Sequence, residues 1–193
     1  AVKFADIVTH SYHPVKNITT GEGGAILTND KIIAKKIKML RSHGITKNPN
    51  IMSKNEGPWY YEMKELGYNY RITDFQCALG LSQLKKLNKF IKKRKEIAQI
   101  YNSSFYENDF LKIPKVTTGY GHAYHLYPLQ INFRNLDQKK KLFKEFKKKK
   151  INLQVHYIPI YHQPYYKKFN FNKKNYPVSE NFYSNVFSIP LYP

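Results

Sequence analysis

Residues 4–10 alternate loosely between apolar and polar side chains and are rich in β-branched types, which predicts a strand; residues 24–28 predict a second, short one. Asn29-Asp30 then caps a helix reaching about residue 42, with Ile33, Ile37 and Leu40 as its apolar stripe and His43-Gly44 as its stop. Residues 45–67 carry no period and mix Pro, Gly and Asn with Trp59, Tyr60 and Tyr61, the composition of a long functional loop. Thr73 and Gln76 form a capping box ahead of Phe75, Leu79, Leu84, Leu87 and Ile91, predicting one helix to about residue 106. Such a helix is on the order of 50 Å long and is expected to bend or break near Asn88. Residues 125–133 alternate as a strand, Asp137 is expected to cap a basic helix to about residue 150, and residues 153–158 predict another strand. Strand, helix and strand in that order suggest a small α+β lobe, with the domain boundary between residues 109 and 110. No internal repeat is visible.

Composition adds a charge question. The 193 residues carry a formal net charge of +20, which invites a polyanion or membrane partner. The clusters Lys85-Lys86, Lys92-Lys93-Arg94-Lys95, Lys139-Lys140-Lys141 and Lys147-Lys148-Lys149-Lys150 all fall in segments of helical apolar spacing, so they read first as solvated helix faces. The single cysteine, Cys77, cannot form an internal disulfide and is expected as a small core residue in a reducing compartment. No apolar run approaches the roughly 20 residues of a membrane span, and no signal segment opens the chain. A soluble, cytoplasmic protein is expected. The chain opens on Ala1 and closes on Pro193 inside a motif, so a piece of a longer polypeptide is expected too.

Lys16 stands at the end of a strand and polar loop, with Ser11 five residues before it and Gly21, Gly23 and Gly24 soon after. A lysine so placed can hold an aldehyde cofactor whose phosphate rests on nearby donors. To attack a carbonyl its amine must be neutral, and Val15 and Ile18 are expected to supply the apolar setting that favours this. Alone, such a lysine is an ordinary surface lysine, Ser11 a turn cap and His13 a structural histidine. Together, the Ser11 hydroxyl can donate to a phosphate and His13 can bond a cofactor oxygen or a water.

Residues 6–44, with Ser-Tyr-His-Pro-Val-Lys, Thr-Thr-Gly-Glu-Gly-Gly and Arg41-Ser42-His43-Gly44, resemble the DegT/DnrJ/EryC1/StrS family of sugar aminotransferases. Leu66-Gly67-Tyr68-Asn69-Tyr70-Arg71, the block from Gln76 to Leu84, Gln154-Val155-His156-Tyr157-Ile158-Pro159 and Ser188-Ile189-Pro190-Leu191-Tyr192-Pro193 continue the resemblance in order. Glu56-Gly57-Pro58-Trp59-Tyr60-Tyr61 is similar to the branch that serves pseudaminic acid biosynthesis.

The resemblance implies an α/β protein of the pyridoxal-phosphate-dependent transferase fold, type I. Residues 1–109 would form the end of the large domain, and residues 110–193 the small α+β C-terminal domain. It implies Lys16 as the Schiff-base lysine, with Ser11, His13 and Asn69 as further cofactor contacts, Asn69 reaching the neighbouring subunit's phosphate. Arg71 is implied for substrate or the subunit interface, His156 and Tyr157 for substrate, and no metal is. The cofactor would be pyridoxal 5'-phosphate, the donor L-glutamate and the acceptor C4 of a UDP-linked 4-keto-6-deoxy-N-acetylhexosamine. A homodimer with active sites at its interface follows, as does a chain that binds cofactor poorly without its other half, whose ring-pairing acid and stacking aromatic belong upstream.

Two other readings compete. A sugar dehydratase of the same family has histidine where this chain has Lys16, and the lysine argues against it. A basic nucleic-acid-binding module predicts aromatics interleaved with Lys and Arg on one face; here the clusters sit beside Leu, Ile and Phe.

Overall fold

A computed structural model describes residues 3–193, and these divide into two compact units, one ending at Leu87 and one running from Asn88 to Pro193. In the first unit, β1 (Val8–Ser11) pairs antiparallel with β2 (Gly24–Leu27), from Val8 opposite Leu27 to Ser11 opposite Gly24. β1 starts later than its pattern predicts because its partner runs out. Beyond Leu27 the chain turns, the Thr28 hydroxyl donating to the Asp6 carbonyl at 2.7 Å.

α1 (Lys31–Leu40) begins at the expected cap, where the Asp30 carboxylate accepts the N–H groups of Ile32 and Ile33 at 2.6 and 3.1 Å. It ends at Gly44, whose N–H donates to the Met39 carbonyl at 2.9 Å. A Cβ on Gly44 would stand 1.7 Å from the Glu65 carbonyl oxygen, at φ +68°, so only glycine fits this close crossing. The 45–67 segment is less irregular than expected: β3 (Ile45–Thr46) pairs antiparallel with β4 (Glu62–Met63). The Glu62 carboxylate closes the excursion between them by accepting the Ser53 N–H at 2.9 Å.

The capping box forms as read: the Thr73 N–H donates to Gln76 Oε1 at 3.0 Å, and the Gln76 N–H to Thr73 Oγ1 at 3.3 Å. α2 (Asp74–Phe105) follows as 32 unbroken residues, without the interruption expected near Asn88. One asparagine costs well under 1 kcal/mol in a helix, and no proline or glycine stands near it. Cys77, expected in the core, is exposed on α2.

In the second unit, β5 (Leu111–Lys112), β6 (Tyr127–Ile131), α3 (Leu136–Lys148), α4 (Pro177–Asn185) and β7 (Val186–Ile189) follow one another, with three short 3-10 turns between residues 160 and 175. The sheet order is β5-β6-β7, all antiparallel. α3 is capped by Asn135, whose Oδ1 accepts the Gln138 N–H at 3.0 Å, while Asp137, the expected cap, sits inside the first turn. The strand expected over residues 153–158 reduces to one bridge, Gln154 opposite Ser188.

The core of this unit gathers Ala98, Tyr127, Leu129, Leu153, Phe187 and Leu191, with Ile97, Tyr101 and Phe146 packed against them. Tyr127 is fully buried; its hydroxyl lies 2.6 Å from Asn102 Oδ1, and burial pushes its pKa up to about 12. Two members of the basic clusters are also inside. Arg94 reaches the carbonyls of Tyr124, His125 and Leu191 at 3.1, 3.3 and 2.7 Å, and Lys139 reaches that of Tyr183 at 2.6 Å. Burial lowers the pKa of both. The other lysines of the four clusters are exposed. Among the described residues no helix is long and apolar enough to cross a membrane, and no His, Cys, Asp or Glu group is arranged to hold a metal.

Candidate active site

Ser11 is the last residue of β1, and His13 and Lys16 lie on the excursion that joins β1 to β2, which is built from backbone hydrogen bonds. At its mouth the Tyr12 N–H donates to the Gly23 carbonyl at 2.9 Å, and the Thr20 N–H to the Tyr12 carbonyl at 3.0 Å. The Thr19 hydroxyl adds a bond to the same Tyr12 carbonyl at 2.9 Å. Inside it, the Lys16 N–H turns back onto the His13 carbonyl at 2.9 Å. Gly24 sits where the two strands meet; a Cβ there would stand 2.7 Å from the His10 carbonyl oxygen. Lys16 therefore rides on a short turn whose two feet are tied together.

Lys16 is half-buried. Of the two apolar neighbours expected to jacket it, Ile18 is half-buried and Val15 is 55% exposed. The Ser11 oxygen accepts the His13 N–H at 3.4 Å, the turn-capping contact, which leaves its own hydrogen for a donor role. His13 Nδ1 accepts the Val15 N–H at 3.4 Å, and its Nε2 lies 3.8 Å from the Glu22 carboxylate. An amine, a hydroxyl and an imidazole beside a carboxylate thus share one loop, a donor set that suits an aldehyde bearing a phosphate and a phenolic oxygen.

Asn69 comes from a different segment. It bridges antiparallel to Ser42, flanked by the bonds from Tyr70 N–H to the Arg41 carbonyl and from His43 N–H to the Tyr68 carbonyl at 2.9 and 2.8 Å. Two motifs separate in sequence, Arg41-Ser42-His43-Gly44 and Gly67-Tyr68-Asn69-Tyr70, are therefore one structural feature, with the Asn69 residue exposed on it. Arg71 lines an open cleft of about 890 Å³ together with Arg41, Tyr68, Tyr70 and the residues of β2; Ser11, His13, Lys16 and Asn69 do not line it.

His156 and Tyr157 belong to the second unit. His156 Nδ1 is 2.9 Å from the Ser188 hydroxyl, and Gln154 and Ser188 exchange backbone bonds at 3.1 and 2.7 Å. The two late motifs are thus paired as well. Tyr157 packs edge-on against His156, with ring centroids 4.7 Å apart, and is 65% exposed.

Sequence reasoning missed the supports of the Lys16 loop. Thr20, 4% exposed, donates its hydroxyl to the Glu22 carbonyl at 2.5 Å, and Gln76 Nε2 donates to that same carbonyl at 2.9 Å. In the sequence Gln76 shows as half of a capping box and as the first residue of a family-like block, and neither points to Glu22.

The whole chain, residues 1–193, matches the sequence profile of the DegT/DnrJ/EryC1/StrS aminotransferase family. It is 41% identical over 188 residues to a Campylobacter jejuni protein named UDP-4-amino-4,6-dideoxy-N-acetyl-beta-L-altrosamine transaminase, covering 97% of this chain and 48% of that protein. Its fold matches Helicobacter pylori PseC, an aminotransferase involved in the biosynthesis of pseudoaminic acid, with TM-score 0.88, 35% identity and coverage of 98% and 48%. It also matches the PLP form of Spr1654 from Streptococcus pneumoniae, with TM-score 0.87, 28% identity and coverage of 100% and 48%. The chain spans about half the length of the curated relatives it matches. The type I transferase fold expected above is therefore the fold of this chain, which corresponds to about half of each matched structure.

Proposed function

This chain belongs to the DegT/DnrJ/EryC1/StrS aminotransferase family, and from that premise we propose that it is the lysine-bearing half of a pyridoxal-phosphate-dependent sugar-nucleotide aminotransferase. The reaction moves the amino group of L-glutamate to C4 of a UDP-4-keto-6-deoxy-N-acetylhexosamine, in the pathway to pseudaminic acid or a related surface glycan. The observation that carries this reading is Lys16 on a turn tied at both feet by Tyr12, Thr20 and Gly23, within a chain matched to the family end to end.

Lys16, Ser11 and His13 would hold the cofactor, with Asn69 reaching the phosphate of a neighbouring subunit in a homodimer. Bound there, pyridoxal phosphate supplies an electron sink for the carbon that loses its proton. The Lys16 amine would carry a proton between the substrate carbon and the cofactor, acting as general base and then general acid. Ser11 orients the phosphate, and the Glu22 carboxylate beside His13 biases the imidazole toward donating from Nε2. Arg71, His156 and Tyr157 are assigned to the sugar nucleotide; a guanidinium suits its diphosphate. In this reading residues 1–109, through the end of α2, complete the large domain and residues 110–193 are the small one. The first unit presents Ile32, Trp59 and Phe75 at 79, 70 and 91% exposure, surface the remainder of the enzyme would cover. The setting is cytoplasmic.

Incubating the full-length enzyme with L-glutamate and the UDP-keto-sugar should yield 2-oxoglutarate and amino sugar in equal amounts. Loss of the sugar hydroxyl without 2-oxoglutarate would replace the aminotransferase by a dehydratase.

A further inference from the structure

We propose that Gln76 is a positioning residue for Lys16, acting through the backbone of Glu22 and Gly23; this rests on the reading of Lys16 given above. The Gln76 amide has two fixed neighbours. The Thr73 N–H can only donate, so it takes Oε1 at 3.0 Å; the Glu22 carbonyl can only accept, so it takes Nε2 at 2.9 Å. One side chain therefore joins the start of α2 to a residue 54 positions earlier.

The Glu22 carbonyl is also where the buried Thr20 hydroxyl lands, at 2.5 Å. The next residue, Gly23, supplies the carbonyl that holds the Tyr12 N–H, and Tyr12 in turn accepts from Thr20 and Thr19. The closure at the mouth of the Lys16 loop thus depends on a peptide held by two side-chain donors, and only Gln76 comes from outside the loop. A loop closed on itself by short-range bonds can rock as a body. The bond to the N-terminus of a 32-residue helix adds a directional tie to the packing of Thr20 near Gly80, where a Cβ would stand 2.9 Å from Thr20 Cγ2.

Two substitutions separate this role from helix capping. Gln76→Glu keeps an oxygen for the Thr73 N–H, and glutamate is a normal capping-box residue, but it replaces the donor to Glu22 with a carboxylate facing a carbonyl. Thr73→Ala removes the hydroxyl half of the cap, with its bonds to Gln76 N–H and Oε1 at 3.3 and 3.1 Å, and leaves the Thr73 N–H to Gln76 and Gln76 to Glu22 bonds. In the full-length enzyme, Gln76→Glu should raise amide exchange at Tyr12 and Thr20 by about 5–10-fold and weaken pyridoxal phosphate binding by about 3–10-fold, with a thermal midpoint within about 2 °C of wild type. Thr73→Ala should lower the midpoint by about 2–4 °C and leave loop exchange unchanged. Unchanged loop exchange in Gln76→Glu overturns the proposal, as does raised exchange with wild-type cofactor affinity. Lys16→Ala measured alongside separates the two readings: wild-type affinity there sinks the assignment of Lys16, whereas lost affinity there with wild-type affinity in Gln76→Glu sinks only the role of Gln76.

Discussion

The guanidinium Nη1 of Arg94 donates to the carbonyl oxygen of Leu191 at 2.7 Å, tying together positions 97 residues apart. The same nitrogen serves the carbonyls of Tyr124 and His125, so one 5%-exposed cation closes three backbone acceptors at the core of residues 88–193. Arg94→Met should destabilise the protein by about 3–5 kcal/mol, because three carbonyls lose their donor inside a packed core. Arg94→Lys keeps the charge on a side chain one atom shorter, which reaches the three carbonyls less well, and should fall between. Urea unfolding midpoints decide it; a wild-type midpoint for Arg94→Met contradicts the account.

Gly24 lets β1 and β2 approach at the foot of the Lys16 loop. With alanine there, the Cβ at 2.7 Å from the His10 carbonyl oxygen forces the strands apart. Gly24→Ala should cost about 1–3 kcal/mol and reduce cofactor binding more than Arg94→Lys does at equal stability. Thermal denaturation with cofactor titration on both variants tests the contrast.

His162 Nε2 lies 2.6 Å from the Glu180 carboxylate, and that hydrogen bond holds the Glu180 pKa below its usual value, with weaker help from Tyr161 and Lys173. The folded value is the depressed one. The stabilisation is therefore complete above the unfolded carboxyl's pKa, about 4.3, and disappears as pH falls through the folded pKa. Thermal midpoints measured from about pH 3 to 7 should show an acid limb that is shallower in Glu180→Gln. Parallel curves for the two proteins would refute this.

Much of the helical architecture was readable in advance, and for local reasons. Asp30 and the Thr73–Gln76 pair cap their helices within three residues of sequence, and the spacing of Leu84, Leu87 and Ile91 carries α2 through Asn88. The sheet was harder. β7 is buried on both faces, so Val186 to Ile189 shows no alternation, and it starts directly after α4 with no turn residue to announce it. Residues 153–158 do alternate, yet pairing depends on what the partner strand offers, which is non-local. Cys77 misled because a small apolar residue on a helix says nothing about which face is covered. At the candidate site, Ser11, His13 and Lys16 were legible as one motif, while their supports were not. The bond from Gln76 to Glu22 spans 54 residues and ends on a carbonyl, a group every residue possesses.

The central claim is that the amine of Lys16 carries the cofactor. Full-length enzyme loaded with pyridoxal phosphate, reduced with borohydride, digested and mapped by mass spectrometry should carry the pyridoxyl group on the peptide containing Lys16, and Lys16→Ala should carry none. Label on another lysine, or undiminished label in Lys16→Ala, would contradict the account.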